Sequence, residues 1–166
     1  MACFNTNTNN CFGPYYPCPV FCCRCECSSN SVVNPPIEDS FAFLSLDTTT
    51  TVSSGGIVPL TLSSSGGSSI TSTTVGEVVL AVGTYQATYN INSVIGASGT
   101  NSFGLTLNGT TIASSISNTT STVGSAISNT NSVVFTVATP SVLRLINLGT
   151  DTVVVSNANL FIRKIN

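Results

Sequence analysis

Residues 83–95, GTYQATYNINSVI, constrain the fold of this chain most strongly. Apolar and polar side chains alternate there over eight consecutive positions. The apolar set is Tyr85, Ala87, Tyr89 and Ile91, and the polar set is Thr84, Gln86, Thr88 and Asn90. Because successive side chains of a strand point to opposite faces, this pattern predicts a β-strand with one buried face and one polar face.

Shorter segments with the same period of two recur toward the C-terminus, and beyond residue 38 no segment shows apolar residues at helical spacing. Asn108-Gly109 separates two such segments, residues 103–107 and 110–116. This predicts a hairpin, because Asn-Gly adopts the positive φ angles of a tight turn. Further strands are predicted in SVVFTVA, SVLRLINL, TVVVS and NANLFIRKI. Their spacing is typical of an all-β sandwich or barrel.

The cysteines divide the chain into two regions. All seven lie within residues 1–37, together with five of the seven prolines, and Pro35-Pro36 favours an extended, semi-rigid spacer. A domain of about 130 residues buries roughly two-thirds of its unfolded surface without cross-links. We therefore predict an N-terminal connector arm, residues 1–37, and a β domain, residues 38–166. The predicted cross-linking residues of the arm are Cys3, Cys11, Cys18, Cys22, Cys23, Cys25 and Cys27.

Two predicted strands, FAFLSL at residues 41–46 and NLFIRKI at residues 159–165, are apolar on both faces. One face of each strand can pack in the core of the domain. The other face needs a second cover, most simply another copy of the chain. A loop of the same chain is the alternative cover.

Charged residues make up only 6% of the chain, with four basic and six acidic side chains. The chain therefore lacks the basic patch that neutralises phosphates, and we expect no binding to nucleic acid. No stretch approaches the roughly 20 apolar residues of a membrane helix, so we expect no membrane association. MACFNTNTNNCFG at the N-terminus lacks the cationic and apolar regions of a secretory signal peptide. A surface so poor in charge favours association.

No catalytic site is predicted. The chain has no histidine, which removes the usual general base and the commonest zinc ligand. Its carboxylates are scattered apart from Glu38-Asp39, whereas calcium needs six or more oxygen ligands from several segments. We therefore expect no enzymatic activity, no cofactor and no metal site. The carboxylates are Glu26, Glu38, Asp39, Asp47, Glu77 and Asp151.

The order of these segments resembles a known family. FAFLSL is followed by VGEVVLAVGTYQATYNI, GLTLNGTTI and TPSVLRLINLG, and the last predicted strand is NANLFIRKI. With Gly83-Thr84-Tyr85 opening the long strand, residues 38–166 resemble the C1q/TNF-like jelly roll. They are most similar to the C-terminal domains of the collagen-like glycoproteins on bacterial spore surfaces (the exosporium). The resemblance implies a ten-stranded jelly-roll sandwich that assembles as a homotrimer.

In this family the first and last strands lie together on the inner sheet, near the threefold axis. The resemblance therefore implies a trimer interface on the two strands that are apolar on both faces. The spore-surface relatives carry Gly-X-Y collagen repeats before the jelly roll, and this chain carries the cysteine-rich arm instead. We therefore expect a fibrous endospore appendage or surface layer on the spore, with a spore-surface anchor and a tip protein as further partners. The predicted trimer interface consists of Phe41, Phe43, Leu44, Leu160, Phe161 and Ile162.

The cysteine arm allows three interpretations. Cys22-Cys23-x-Cys25-x-Cys27 resembles the dense thiolate spacing that binds soft metals, but the two separated Cys-x-x-Cys halves of a structural zinc site are missing. The thiols could also be free and idle, or they could form disulfides between chains. Seven cysteines per chain, and three times seven or 21 per closed trimer, are odd numbers. Only pairing between trimers uses every thiol, so we predict disulfides from trimer to trimer.

Aromatic side chains give the arm apolar anchors for docking on a neighbouring subunit. An arm of about 35 residues reaches about 100 Å when extended, far enough to meet the next trimer. A disordered tail is the alternative for the arm. The predicted docking residues are Phe12, Tyr15, Tyr16 and Phe21.

A trimeric C1q-like head that binds a ligand is the alternative function. Exposed loops at residues 63–74 and 118–131 would contact the ligand, and the cysteines would anchor the head to a spore coat. Both segments consist almost wholly of Ser, Thr, Gly and Asn, without an aromatic or charged side chain. That composition disfavours a tight, specific site.

Overall fold

The computed structural model describes residues 39–96 and 99–166, which form an all-β domain. The chain divides into two units between Asn34 and Pro35, and the first unit lies outside the described residues. The domain boundary after residue 37 stays a prediction. The strands are β1 (Phe41–Ser45), β2 (Thr50–Val52), β3 (Thr61–Gly66), β4 (Ile70–Thr74), β5 (Glu77–Leu80), β6 (Gly83–Ile95), β7 (Gly99–Leu107), β8 (Thr110–Thr111), β9 (Ser117–Ser121), β10 (Ala126–Val137), β11 (Ser141–Asn147) and β12 (Val153–Lys164).

These strands form two antiparallel sheets of six. Sheet A has the order β10-β6-β12-β1-β3, with β2 beside β12, and sheet B has the order β4-β5-β11-β7-β8, with β9 beside β7. One hydrophobic core contains buried side chains from both sheets, as in a jelly-roll sandwich. The described residues thus form twelve strands, two more than expected, and the shortest are β2 and β8. β1 and β12 are neighbours in sheet A, as the resemblance implies.

The alternation in β6 is confirmed. Tyr85, Ala87, Tyr89 and Ile91 are all completely buried, and they lie on the face of sheet A that packs on sheet B. The predicted hairpin is confirmed as well. Asn108 and Gly109 have φ angles of 50° and 83° between β7 and β8. A turn with two positive φ angles matches the twist of the strands it connects, and Asn and Gly adopt these angles most readily.

Two predicted strand assignments differ from the structure. A single strand, β12 (Val153–Lys164), with an irregularity in register at Ser156, replaces the two strands predicted at residues 152–156 and 157–165. A β-bulge lets one strand continue while its alternation shifts by one residue, which explains why the pattern looked interrupted. The predicted strand at residues 110–116 stops at Thr111, and the 3₁₀ helix Ala113–Ser115 follows it.

The two segments predicted as exposed loops are mostly strands. Residues 63–74 include most of β3 and all of β4, and residues 118–131 include most of β9 and half of β10. The alternation was hidden because a buried position of β10 is polar: Asn129 is fully buried. Its Nδ2 donates to the carbonyl oxygen of Ser117 at 3.0 Å and to Oγ1 of Thr119 at 3.2 Å, which satisfies the amide N–H groups and ties β10 to β9. Its Oδ1 has no hydrogen-bond partner among the described residues.

A buried tyrosine connects the two sheets. The Tyr89 hydroxyl, on β6 of sheet A, donates to the carbonyl oxygen of Ser115 at 2.6 Å and lies 3.0 Å from that of Phe103 on β7. Burial raises the pKa of Tyr89 to about 12. Deprotonation of this side chain is therefore much harder in the folded protein than in the unfolded chain.

We expect the domain to lose stability in strong alkali because of Tyr89. Below pH 10 the tyrosine is protonated in both states, so it contributes no pH dependence. Between pH 10 and about 12 the unfolded chain ionises first, which lowers the free energy of unfolding by roughly 2 to 3 kcal/mol. Thermal melts of the wild type and Tyr89→Phe across this range would measure the effect. Equal alkaline slopes for both proteins would contradict it, since both retain Tyr85.

Candidate self-association surface

The outer face of sheet A carries three phenylalanines at its centre. Phe43 of β1 is directly opposite Phe161 of β12, and Phe41 is opposite Arg163. Directly opposite residues of an antiparallel pair point to the same face of the sheet, so all these side chains project outward together. We call Phe41, Phe43 and Phe161 the Phe cluster. Their exposed fractions are 36%, 37% and 39%, which is high for large aromatic side chains.

The structure separates the six residues of the predicted trimer interface into two groups. The Phe cluster faces outward, whereas Leu44, Leu160 and Ile162 are at most 1% exposed and pack in the core of the domain. Leu160 is opposite Tyr89 and Ile162 is opposite Ala87, on the buried face of β6. Because these three side chains are enclosed within one subunit, they cannot touch a partner, and we remove them from the predicted interface.

Polar side chains beside the Phe cluster are bonded to one another. Arg163 donates from Nε to Oε1 of Gln86 at 2.8 Å, and Nε2 of Gln86 lies 3.3 Å from Oγ of Ser132. The hydroxyls of Thr88 and Ser132 are 2.8 Å apart. Burying a polar group costs less when its hydrogen bonds are already made, so Gln86, Thr88 and Ser132 can be covered at low cost, whereas the charge of Arg163 is costly to bury without a carboxylate.

Sequence reasoning had placed Gln86 and Thr88 on the polar face of β6, but it did not connect them with the phenylalanines. The pairing of Phe161 with Thr88, and of Thr88 with Ser132, assigns all three to one row across sheet A. Strand order is a tertiary property, so no pattern within a single strand predicts this row. Ser132 begins the predicted strand SVVFTVA, but the pairing of that strand with β6 was not predicted.

The outer face of sheet B is different in character. An ion pair lies across its strands β5 and β11, where Nη2 of Arg144 is 2.7 Å from Oε1 of Glu77. Nε of Arg144 donates to the same oxygen at 3.0 Å. A charged pair of this kind is partly solvated and resists being covered by an apolar partner. Sheet A, which exposes the three aromatic side chains of the Phe cluster, is the better candidate for self-association.

In residues 39–96 and 99–166, no group of three or more His, Cys, Asp or Glu side chains is placed to hold a metal ion. The same residues contain no helix long and apolar enough to span a bilayer. The cross-linking cysteines, at positions 3 to 27, lie outside the described residues. The predicted docking residues Phe12, Tyr15, Tyr16 and Phe21 lie outside them as well, so both assignments stay predictions.

Comparisons with known proteins identify the fold. No family model and no curated protein matches the chain. Among solved structures, Eiger TNF from S. frugiperda aligns with a TM-score of 0.64 and 15% identity, over 78% of this chain and 94% of that one. Murine APRIL at pH 5.0 aligns with a TM-score of 0.60 and 11% identity, over 77% of this chain and all of that one.

The globular domain of zebrafish complement 1qA is similar too, with a TM-score of 0.59 and 10% identity, over 76% of this chain and 98% of that one. These likenesses span nearly the whole of each solved domain. The fold is therefore a C1q/TNF-like jelly-roll sandwich, as the order of segments in the sequence predicted. At identities this low the likeness defines the fold alone.

Proposed function

We propose that this protein is a structural subunit of a fibre or appendage on the surface of a bacterial spore. It forms homotrimers through its jelly roll, and disulfides of its N-terminal arm join one trimer to the next. The observation that carries the proposal is the Phe cluster, which exposes three aromatic side chains at the centre of sheet A. A contiguous exposed apolar patch is a common mark of an interaction site.

Trimer formation is supported by the energetics of the Phe cluster. Each phenylalanine side chain has more than a third of its surface exposed, and covering that third contributes about 2 kcal/mol. The cluster lies on the first and last strands, where the resemblance to C1q/TNF-like domains implies the threefold axis. The surrounding hydrogen-bonded row of Gln86, Thr88 and Ser132 adds little desolvation cost. A second and a third copy of the chain are thus the proposed partners.

Linkage between trimers is supported by the number and position of the cysteines. None occurs after residue 27, so the jelly roll supplies no thiol, and any disulfide partner is another arm cysteine. The count is odd for one chain and for one trimer, which leaves thiols available for a neighbouring trimer. Cys22 and Cys23 are adjacent and do not readily bond to each other, so each can bond a different chain.

The spore surface is proposed from the resemblance to exosporium glycoproteins, in which a jelly roll of this type is the C-terminal domain. An anchor on the spore and a protein at the tip of the fibre complete the proposed set of partners. Antibodies raised against residues 38–166 should label the outside of intact spores of the source organism. Labelling restricted to vegetative cells would contradict this location.

We expect the full-length protein to form covalent assemblies under oxidising conditions. Non-reducing gels should show bands larger than a trimer, and negatively stained images should show fibres or layers. Reductant should convert these to non-covalent trimers, because the disulfides and the Phe cluster act independently. A variant with all seven cysteines changed to Ser is the matched control and should give trimers under both conditions. Discrete monomers of the wild type under oxidising conditions would overturn the proposal.

Elemental analysis distinguishes disulfide linkage from metal binding by the arm. If the thiols bind soft metals instead, protein purified under reducing conditions should contain a stoichiometric amount of such a metal. Elemental analysis of the wild type beside the seven-serine variant measures this content directly. We expect no difference in metal content between the two.

A further inference from the structure

The turn between β7 and β8 contains the only Asn-Gly dipeptide of the sequence, Asn108-Gly109. An asparagine followed by glycine reacts readily with its own backbone, because glycine has no side chain to hinder the approach of its amide nitrogen. Both residues are exposed. A Cβ atom added to Gly109 would meet no other atom within 4 Å. Water and buffer ions therefore have free access to this turn.

Two hydrogen bonds hold the side-chain amide of Asn108 on the neighbouring strand β11. Its Nδ2 donates to Oγ of Ser141 at 3.0 Å, and its Oδ1 accepts the N–H of Val142 at 2.8 Å. Ser141 is buried, and its hydroxyl donates to the carbonyl oxygen of Thr139 at 2.7 Å. The Ser141 hydrogen is therefore engaged elsewhere, and Oγ acts as an acceptor for Asn108.

These bonds direct the amide away from the nitrogen with which it would react. β7 lies between β11 and β8 in sheet B. The Asn108 side chain reaches β11 on one side of β7, whereas Gly109 leads into β8 on the other side. To approach the Gly109 nitrogen, the side chain has to rotate about its Cα–Cβ bond. That rotation breaks the bonds to Ser141 and Val142.

We infer that Asn108 is a site of spontaneous deamidation, and that its side-chain bonds to β11 keep the reaction slow in the folded protein. In this reaction the Gly109 nitrogen loses its proton and bonds to Cγ of Asn108. The Cγ–Nδ2 bond breaks, and ammonia leaves with that proton. Water then adds to either carbonyl carbon of the succinimide ring, which opens to aspartate or isoaspartate. Water is the only co-reactant.

Both products change the turn. Aspartate adds one negative charge to a chain whose formal net charge is −2. A carboxylate has no N–H to donate, so the present bond to Ser141 is lost. Isoaspartate adds a methylene group to the backbone, and a two-residue turn cannot accept it without a change in the pairing of β7 with β8. The contact with Ser141 therefore preserves the hairpin over time.

Peptide mapping by mass spectrometry tests this inference on the full-length protein, kept in reductant at mildly alkaline pH. The fraction of aspartate and isoaspartate at position 108 is followed over time. In the folded wild type, we expect conversion at least about tenfold slower than in the same chain in denaturant. Ser141→Ala removes the acceptor of one hydrogen bond and should speed conversion in the folded protein by about two- to tenfold.

Ser102→Ala is the matched control. It makes the same change on β7, at a hydroxyl that has no hydrogen-bond partner within residues 39–96 and 99–166, and should leave the rate at Asn108 unchanged. Conversion of the folded wild type at the denatured rate would overturn the inference. A rate above the denatured one would overturn it too, since it would mean that the Val142 N–H promotes attack at Cγ.

The other asparagines in the same digest distinguish local release from unfolding of the domain. We expect Ser141→Ala to leave the rates at Asn92 and Asn118 unchanged. Equal acceleration at these two residues would overturn control of the reaction by the Ser141 contact, as would a wild-type rate at Asn108 in a folded Ser141→Ala variant. If Ser141→Ala does not fold, the comparison of folded with denatured wild type still decides whether the fold protects Asn108.

Discussion

Changing Phe43 and Phe161 together to Asp should convert the protein from trimers to folded monomers. Each change removes about 2 kcal/mol of apolar burial at the proposed interface and would bury a carboxylate without a partner. Two such changes per subunit should weaken association at least about 100-fold. The domain should stay folded, because both side chains point away from the core of the subunit.

The oligomeric state is measured by size-exclusion chromatography with light scattering, in reductant, so that disulfides do not contribute. Val79→Asp is a suitable control, because Val79 on β5 is 38% exposed and matches the Phe cluster in exposure. Circular dichroism checks the fold of each variant. If the double variant remains trimeric, or if Val79→Asp dissociates the protein equally, the outer face of sheet A is not the interface.

The same substitution should affect different properties at two neighbouring residues of β12: stability of the subunit at Leu160, and association between subunits at Phe161. Leu160→Ala should lower the free energy of unfolding by about 2 to 5 kcal/mol, since it leaves a cavity in a well-packed core. Phe161→Ala should lower the free energy of unfolding less than Leu160→Ala does, because 39% of the surface of Phe161 is already exposed and its loss leaves no enclosed cavity. Its main effect should be weaker association.

Both effects should be measured in a monomeric background, because association adds its own free energy to stability. Phe43→Asp combined with each alanine change provides that background, and denaturant unfolding gives the two free energies. Ile162→Ala, on the buried face beside Ala87, serves as a second core variant and should resemble Leu160→Ala. A larger loss of stability for Phe161→Ala than for Leu160→Ala would mean that the two faces of β12 have been assigned the wrong way round.

Much of the sandwich was predictable because its core side chains alternate with polar ones along single strands. Tyr85 and Tyr89 are apolar positions separated by polar residues, so their burial follows from the period of β6. The Asn108-Gly109 turn depends only on the φ angles of these two residues, so it too was predictable from a short stretch of sequence. Such features need no knowledge of what packs against them.

β9 and the first half of β10 were missed, because no residue of β9 is fully buried and one buried position of β10 is polar. Asn129 is fully buried, and only its hydrogen bonds to Ser117 and Thr119 make that burial tolerable. Those partners lie on a strand about ten residues earlier in the chain. A search for alternating apolar residues does not detect a buried amide side chain, so this part of the sequence was interpreted as a polar loop.

The two strands that are apolar on both faces show most clearly what the sequence predicts by itself and what only the tertiary structure decides. Their composition alone requires that one face pack in the core and that the other be covered in some further way. It does not say which face is which, because a strand with Phe161 outward and one with Leu160 outward have the same period. Pairing with β6 decides, since its buried tyrosines place Leu160 and Ile162 inside with them. The Phe cluster is therefore a product of strand register, which forms only when distant parts of the chain come together.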